Sequence, residues 1–169
     1  LGDLQRDLNI SPNAVMFCKK YVREGVLPRM LSEILATRIM VKNSMSDAAK
    51  HDKRLYRTLN ARQFALKMIA NVTYGYTSAS YSGRMPCSDI ADSIVQYGRE
   101  TLERAIHTIE SHPKWNASVV YGDTDSVFVL LKGASKQEAF HLGREIASTI
   151  TAMNPAPMKL QLEKIYMPC

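Results

Sequence analysis

Cysteine is scarce in this sequence. Cys18, Cys87 and Cys169 are odd in number and far apart, which excludes a disulfide framework and leaves no C-x-x-C clip for a metal. Long apolar runs are missing too. None approaches the roughly 20 residues that a membrane-spanning helix requires, and no basic, apolar and small-residue series opens the chain as a secretory signal does. The expectation is a soluble, intracellular protein with reduced thiols and no membrane partner. There is no internal repeat or low-complexity tract, and the prolines and glycines are scattered as punctuation rather than gathered into a linker. The first residue is not Met, and the stretch from Lys164 to Cys169 still reads as structured chain, so both ends are expected to have been cut from something longer.

What is present suits one globular unit with a protruding helical pair: 169 residues, 46% apolar and 22% charged. A net charge of +6 and a pI near 9.3 favour polyanionic partners through phosphate contacts. Leu31, Ile34, Leu35 and Ile39 recur at helical spacing, predicting a helix from Pro28 to about Lys42. A polar, basic connector from Asn43 to Arg57 is expected next, followed by a second helix from about Leu59 to Tyr74 that ends at Gly75. Ser88 opens a third helix, with Ile90, Ile94, Leu102, Ile106 and Ile109 as its candidate buried face, and His112-Pro113 stops it. Ser118 to Tyr121 and Ser126 to Leu131 read as strands of one hairpin. Ser135 and Glu138 form a capping box for a fourth helix over 136–153. A last strand runs from Lys159 to Tyr166, with Leu160, Leu162 and Ile165 inward.

The hairpin turn holds Asp123 and Asp125 on either side of Thr124. Like charges that close repel unless something neutralises them, and a divalent cation does so. Hard oxygen ligands suit Mg²⁺, which commonly takes one or two carboxylates and completes its shell with water and phosphates. The ordinary alternative is a pair of turn residues, since Asp favours such positions for local hydrogen-bonding reasons. On the second helix Gln63, Lys67, Asn71 and Tyr74 form one polar stripe, with Ala65, Ile69 and Val72 on another face. A solvated face is the plain reading of that stripe. On the first helix Arg38 and Lys42 continue the line begun by Leu31 and Leu35, and long stems that snorkel past a core give the same pattern.

Tyr121-Gly122-Asp123-Thr124-Asp125-Ser126 resembles the family B DNA polymerase signature YGDTDS over its whole length. Lys67, Asn71, Tyr74 and Gly75 fill every position of that family's K-x-x-x-N-x-x-Y-G motif, and Gly25 through Leu35, Arg38 and Lys42 resembles the opening of its fingers. Leu162-Glu163-Lys164-Ile165-Tyr166 is similar to the family's L-E-x-E-K-x-Y strand, with Gln161 where the first acidic residue often stands. Family members often have Ser directly after the Asn. Val72-Thr73 departs from this in a way similar to the family's translesion branch, as does the wording of Ser82 to Cys87.

The resemblance implies an α+β fold: a helical-hairpin fingers element and a partial antiparallel-sheet palm. Residues 1–25 would be a palm segment leading into the fingers, 26–75 the fingers, and 76–169 palm, with a metal-binding hairpin at about 118–131. It further implies that Asp125 ligates two catalytic Mg²⁺ ions with Asp123 beside it and Glu163 as a possible third carboxylate. Arg38, Lys42 and Lys67 would meet the triphosphate of a deoxynucleotide, Asn71 would support it, Tyr74 would pack near the nascent base pair, and Gly75 would allow close approach. Primer–template DNA is the implied partner and the nucleus the implied location. Iron–sulfur and other-subunit contacts are expected outside this stretch. No D-x-x-S-L-Y-P palm strand with a second essential Asp precedes Leu1, so the chain alone is expected to be inactive or nearly so. Another two-metal nucleotidyltransferase or nuclease, and a catalytically silent nucleic-acid-binding module, stand as alternatives.

Overall fold

The computed structural model describes residues 6–167, with the backbone alone at 47–51. It divides into two compact units, Leu1–Ile94 and Val95–Cys169. Among the described residues there are four helices of more than two residues and two two-stranded antiparallel sheets, in agreement with the α+β expectation.

The first unit begins with a small hairpin that the sequence pattern does not reveal, because three-residue strands are too short to display alternation. Strand β1 (Leu8–Ile10) pairs with β2 (Met16–Cys18), Asn9 standing opposite Phe17. Ser11 closes the turn: its amide and hydroxyl both donate to the Val15 carbonyl, and Ala14 takes a left-handed φ of 63°. The buried Ser93 hydroxyl, 3% exposed, lies 2.9 Å from Asn13 Oδ1 and ties this turn to the first part of helix α3 (Ser88–Ser111).

Helix α1 (Val26–His51) starts as expected near Pro28, where a missing N–H costs nothing, but runs on through most of the anticipated connector. The stretch from Asn43 to His51 contains no Gly or Pro, so nothing local stops the helix. Asp52 alone breaks it. Its extended backbone (φ −144°, ψ 105°) and its Oδ1, which accepts from the amides of Arg54 (2.8 Å) and Leu55 (3.2 Å), cap helix α2 (Lys53–Ser78). Nor does α2 end at Gly75: it continues one turn further, with Thr77 buried and its hydroxyl donating to the Thr73 carbonyl. One interior glycine costs about 1 kcal/mol, less than that added packing and hydrogen bonding return.

The two helices pack against one another as a hairpin. In α1 the half-buried positions include Leu31, Ile34, Arg38, Val41 and Met45, and in α2 Leu59, Gln63, Leu66, Ala70 and Thr73. Steps of three and four alternate in both series, the seam of an antiparallel zipper. Counted outward from Asp52, the series match: Met45 with Leu59, Val41 with Gln63, Arg38 with Leu66, Ile34 with Ala70, Leu31 with Thr73. The expected polar stripe is thereby divided. Gln63 lies in the seam, whereas Lys67, Asn71 and Tyr74 are exposed.

The second unit is a helix layer on a sheet. Strand β3 (Ala117–Asp123) pairs with β4 (Ser126–Leu131), with a bulge between Val119 and Tyr121. Ala105 and Ile109 of α3, Trp115, and Ile146 and Ile150 of helix α4 (Lys136–Met153) form its core. Val119, Val127, Val129 and Leu131 pack against that core from one face of the sheet. Trp115 is 2% exposed, stacks on His112 with ring centres 3.7 Å apart, and donates its Nε1–H to Glu145 Oε1 at 3.1 Å. The capping box of α4 is present as read from the sequence. It also sets the carboxyl of Glu138 below its ordinary 4.5, through hydrogen bonds from the Ser135 side chain and backbone. On α3 the core face is Ala105 and Ile109, and Ile94 is instead 49% exposed.

The segment 159–166 has no regular secondary structure and forms no strand ladder among the described residues. A strand requires a partner, and Leu160 is held by a side chain instead: its amide and carbonyl both bond the Thr151 hydroxyl of α4. Leu160, Leu162 and Ile165 are half-buried, as their alternation predicts.

Candidate functional site

Within the second unit, Asp123 and Ser126 are the last paired residues of the hairpin, leaving Thr124 and Asp125 as a two-residue tip. All four are exposed. Asp123 turns its Oδ1 back on the loop, accepting from the Thr124 amide at 2.7 Å and its hydroxyl at 3.2 Å. Asp125 makes no hydrogen bond or ion pair among the described residues. Two carboxylates on an exposed bend, one braced locally and one unengaged, fit the one or two protein ligands that Mg²⁺ commonly takes.

Glu163 is exposed and lies beside Phe140, Arg144 and Leu162 at a shallow depression of about 420 Å³. Among the described residues no three His, Cys, Asp or Glu side chains gather around one point.

The face of the hairpin sheet away from the core carries a row that the sequence reading passed over. Tyr121 meets Phe128 edge-on at 5.7 Å, and Phe128 lies against Tyr166 at 5.9 Å. Tyr121 and Tyr166 remain 59% and 57% exposed. Period-2 alternation was the available signal: 127, 129 and 131 turn to the core, so 126, 128 and 130 turn away.

In the first unit the cations follow from the zipper. Arg38 occupies the seam itself, half-buried, with its Nε buried and without a hydrogen-bond partner among the described residues. Lys42, Lys67, Asn71 and Tyr74 each directly follow a seam residue: Val41, Leu66, Ala70 and Thr73. In an antiparallel pair the residue after a seam position falls on the same flank of both helices. One exposed flank thus carries two lysines, an amide and a phenol, and Arg38 and Lys67 stand at nearly equal distance from the bend. The ion pairs among the described residues are Lys20–Glu24 and Arg99–Glu103, so none of these three cations is neutralised. At Gly75 a Cβ would meet nothing within 4 Å, so that side of α2 faces open space.

The sequence profile described as "DNA polymerase family B" matches residues 2–169, and the chain belongs to that family. The "DNA polymerase zeta catalytic subunit" of Homo sapiens is 60% identical over 169 residues, covering 100% of this chain and 5% of that protein. The Saccharomyces cerevisiae protein of the same name is 54% identical over 168 residues, 99% of this chain and 11% of the relative. The chain therefore spans only a small part of the length of these relatives. Among solved structures, the family B DNA polymerase of the hyperthermophilic archaeon Pyrobaculum calidifontis superposes with a TM-score of 0.61 at 27% identity, over 83% of this chain and 17% of that one. No helix among the described residues is long and apolar enough to cross a membrane.

Proposed function

We propose that this chain is the fingers and the metal-binding palm hairpin of a DNA-directed DNA polymerase of the translesion type, acting in the nucleus. Residues 1–25 lead into the fingers, 26–75 supply most of the helical hairpin, and 76–169 belong to the palm. The reaction is attack of a primer 3′-hydroxyl on the α-phosphate of a deoxynucleoside triphosphate, with pyrophosphate leaving and the template choosing the base. The observation that carries this reading is that each unit holds unengaged charge inside a family motif, Asp125 on an exposed bend in one and an un-neutralised cationic flank in the other.

Asp125 and Asp123 would hold the metal, with Glu163 a further carboxylate of the same palm. Two Mg²⁺ ions, when bound, supply Lewis-acid activation of the attacking oxygen and neutralise charge on the leaving group. The chain's own groups do the rest. Lys67 and Lys42 place positive charge where negative charge develops on the polyphosphate, and Arg38, its Nε buried and lacking a partner, offers a guanidinium in the same reach. Asn71 and Tyr74, on the same flank as Lys67, orient the nucleotide and its base pair, and Gly75 leaves room for their approach. Iron–sulfur and other-subunit sites, implied by the family resemblance alone, would lie outside this stretch.

Asp125→Ala in the full-length polymerase tests the assignment. Loss of a metal's several kcal/mol of charge stabilisation predicts primer extension reduced about a thousandfold or more, with duplex affinity nearly unchanged. Undiminished extension would sink the catalytic reading and leave a binding module. Cleavage of primer–template by the wild type without extension, lost in Asp125→Ala, would point to a nuclease.

A further inference from the structure

The loop between α2 and α3 carries two of the most exposed apolar side chains of the chain. Tyr81 is 102% exposed and Met85 is 85% exposed. Such exposure is ordinary on a wandering loop, but this loop is turned back on itself and tied to the capped end of α2. The Ala79 amide bonds the Gly75 carbonyl at 3.0 Å, the Gly83 amide bonds the Ala79 carbonyl at 2.8 Å, and the Cys87 amide bonds the Thr77 carbonyl at 2.9 Å. Gly83 is pressed against the end of α2 so closely that a Cβ there would stand 2.3 Å from the Tyr76 carbonyl oxygen and 2.5 Å from that of Ala79. Only glycine fits that approach. The backbone is thus held while the aromatic ring is pushed out into solvent, the reverse of what burial favours.

The loop's own charge is of one sign, the first acid after it being Asp89 in the first turn of α3. From Thr77 to Ser88 the sequence contains no Asp or Glu, and Arg84 lies between Gly83 and Met85, itself exposed. An exposed aromatic face on a tied-down backbone, three residues before an exposed cation and in a loop without acids of its own, is the composition of a stacking contact for single-stranded nucleic acid: the base takes the ring and the backbone phosphate takes the guanidinium. We infer that Tyr81 is a stacking platform for an unpaired base of single-stranded DNA and that Arg84 binds the adjoining phosphate. Met85 offers a second, polarizable apolar surface to the same strand. The inference rests on the polymerase reading, which supplies the DNA, and it names a contact which that reading does not contain.

The experiment uses the full-length polymerase and two fluorescent primer–template probes. One has an ordinary 5′ template overhang, and the other has the same overhang with abasic sugars. The wild type is expected to bind the base-bearing overhang about tenfold more tightly than the abasic one, the scale of a single base–aromatic stack. Tyr81→Ala should bind both equally, at the abasic level, and Tyr81→Phe should retain the preference. Gly83→Ala, with Tyr81 intact but its loop displaced, should lose the preference as Tyr81→Ala does. Arg84→Ala should weaken both probes alike and flatten the salt dependence by about one phosphate contact. A Tyr81→Ala enzyme that still prefers the base-bearing probe overturns the inference, and so does one that keeps the preference but fails to assemble with a protein partner. Primer extension by the wild type separates this from failure of the polymerase reading: if extension is intact, a missing base preference counts against Tyr81 alone.

Discussion

The two units of this protein hold their chemistry in different ways. Around Asp123 and Asp125 the chain builds a layered core, with Trp115, Ile109, Ile146 and Ile150 buried under one face of the β3–β4 hairpin. Around Arg38 and Lys67 there is only a zipper of half-buried side chains between two 26-residue helices joined at Asp52. On the proposed reading, carboxylates that would hold a metal to a fraction of an ångström gain from a packed base. On the same reading, cations that would reach for a flexible polyphosphate are served by an arm that spends little burial. The contrast teaches that the stiffness of a scaffold can be read from burial as directly as its chemistry is read from motifs.

Truncating one side chain in each unit is the sharpest way to break this contrast. Trp115→Ala should cost about 3–5 kcal/mol in urea denaturation of the chain, from lost burial and a cavity that α3 and α4 do not fill. Leu66→Ala, at a half-buried seam position, should cost about 1–2 kcal/mol. Equal losses would show that the zipper is as firmly packed as the sheet unit.

Arg38→Met bears on the zipper alone. A buried, partnerless Nε carries a desolvation penalty of about 1 kcal/mol or more, and methionine fills such a seam without it. Stability should hold or rise by about 1 kcal/mol, while the KM for the nucleotide in the full-length enzyme rises about tenfold as a charged contact is lost. A fall in stability with an unchanged KM would make Arg38 a structural residue.

The smallest effect is that of pH on α4. The Glu138 carboxyl is held below its ordinary 4.5 by the Ser135 hydrogen bonds, so the ionised form favours the folded helix. That stabilisation is present above the unfolded value and disappears as pH falls through the folded one. Amide exchange in the first turn of α4, followed from pH 6 downward through the acid range, should speed up more in the wild type than in Glu138→Gln, which keeps an acceptor without a titration. Identical profiles would show that the box contributes nothing through charge.

Much of this architecture was legible beforehand. Lys136 to Met153 reads as a helix because Ser135 and Glu138 announce its start and Pro155 prevents its continuation. The hairpin reads as two strands because β-branched and aromatic residues flank four turn-forming ones. The placement of the site residues was less legible. Gln63 has the same helical spacing as Lys67, Asn71 and Tyr74, yet it faces α1 and they do not, and no property of Gln63 alone could announce that. Likewise Tyr81 reads as an ordinary loop residue until Gly83 is found against the carbonyls of α2.

By itself, the sequence determined the elements and the chemistry: which stretches are helical, where the hairpin bends, which residue types sit in the family motifs. These depend on local propensity, capping and side-chain type, which neighbours along the chain settle. Only the tertiary structure decided that α2 passes Gly75, that 159–166 lacks a ladder among the described residues, and that Arg38 lies in a seam. Each of those outcomes depends on what packs alongside, and burial and hydrogen-bond pairing are properties of two segments at once.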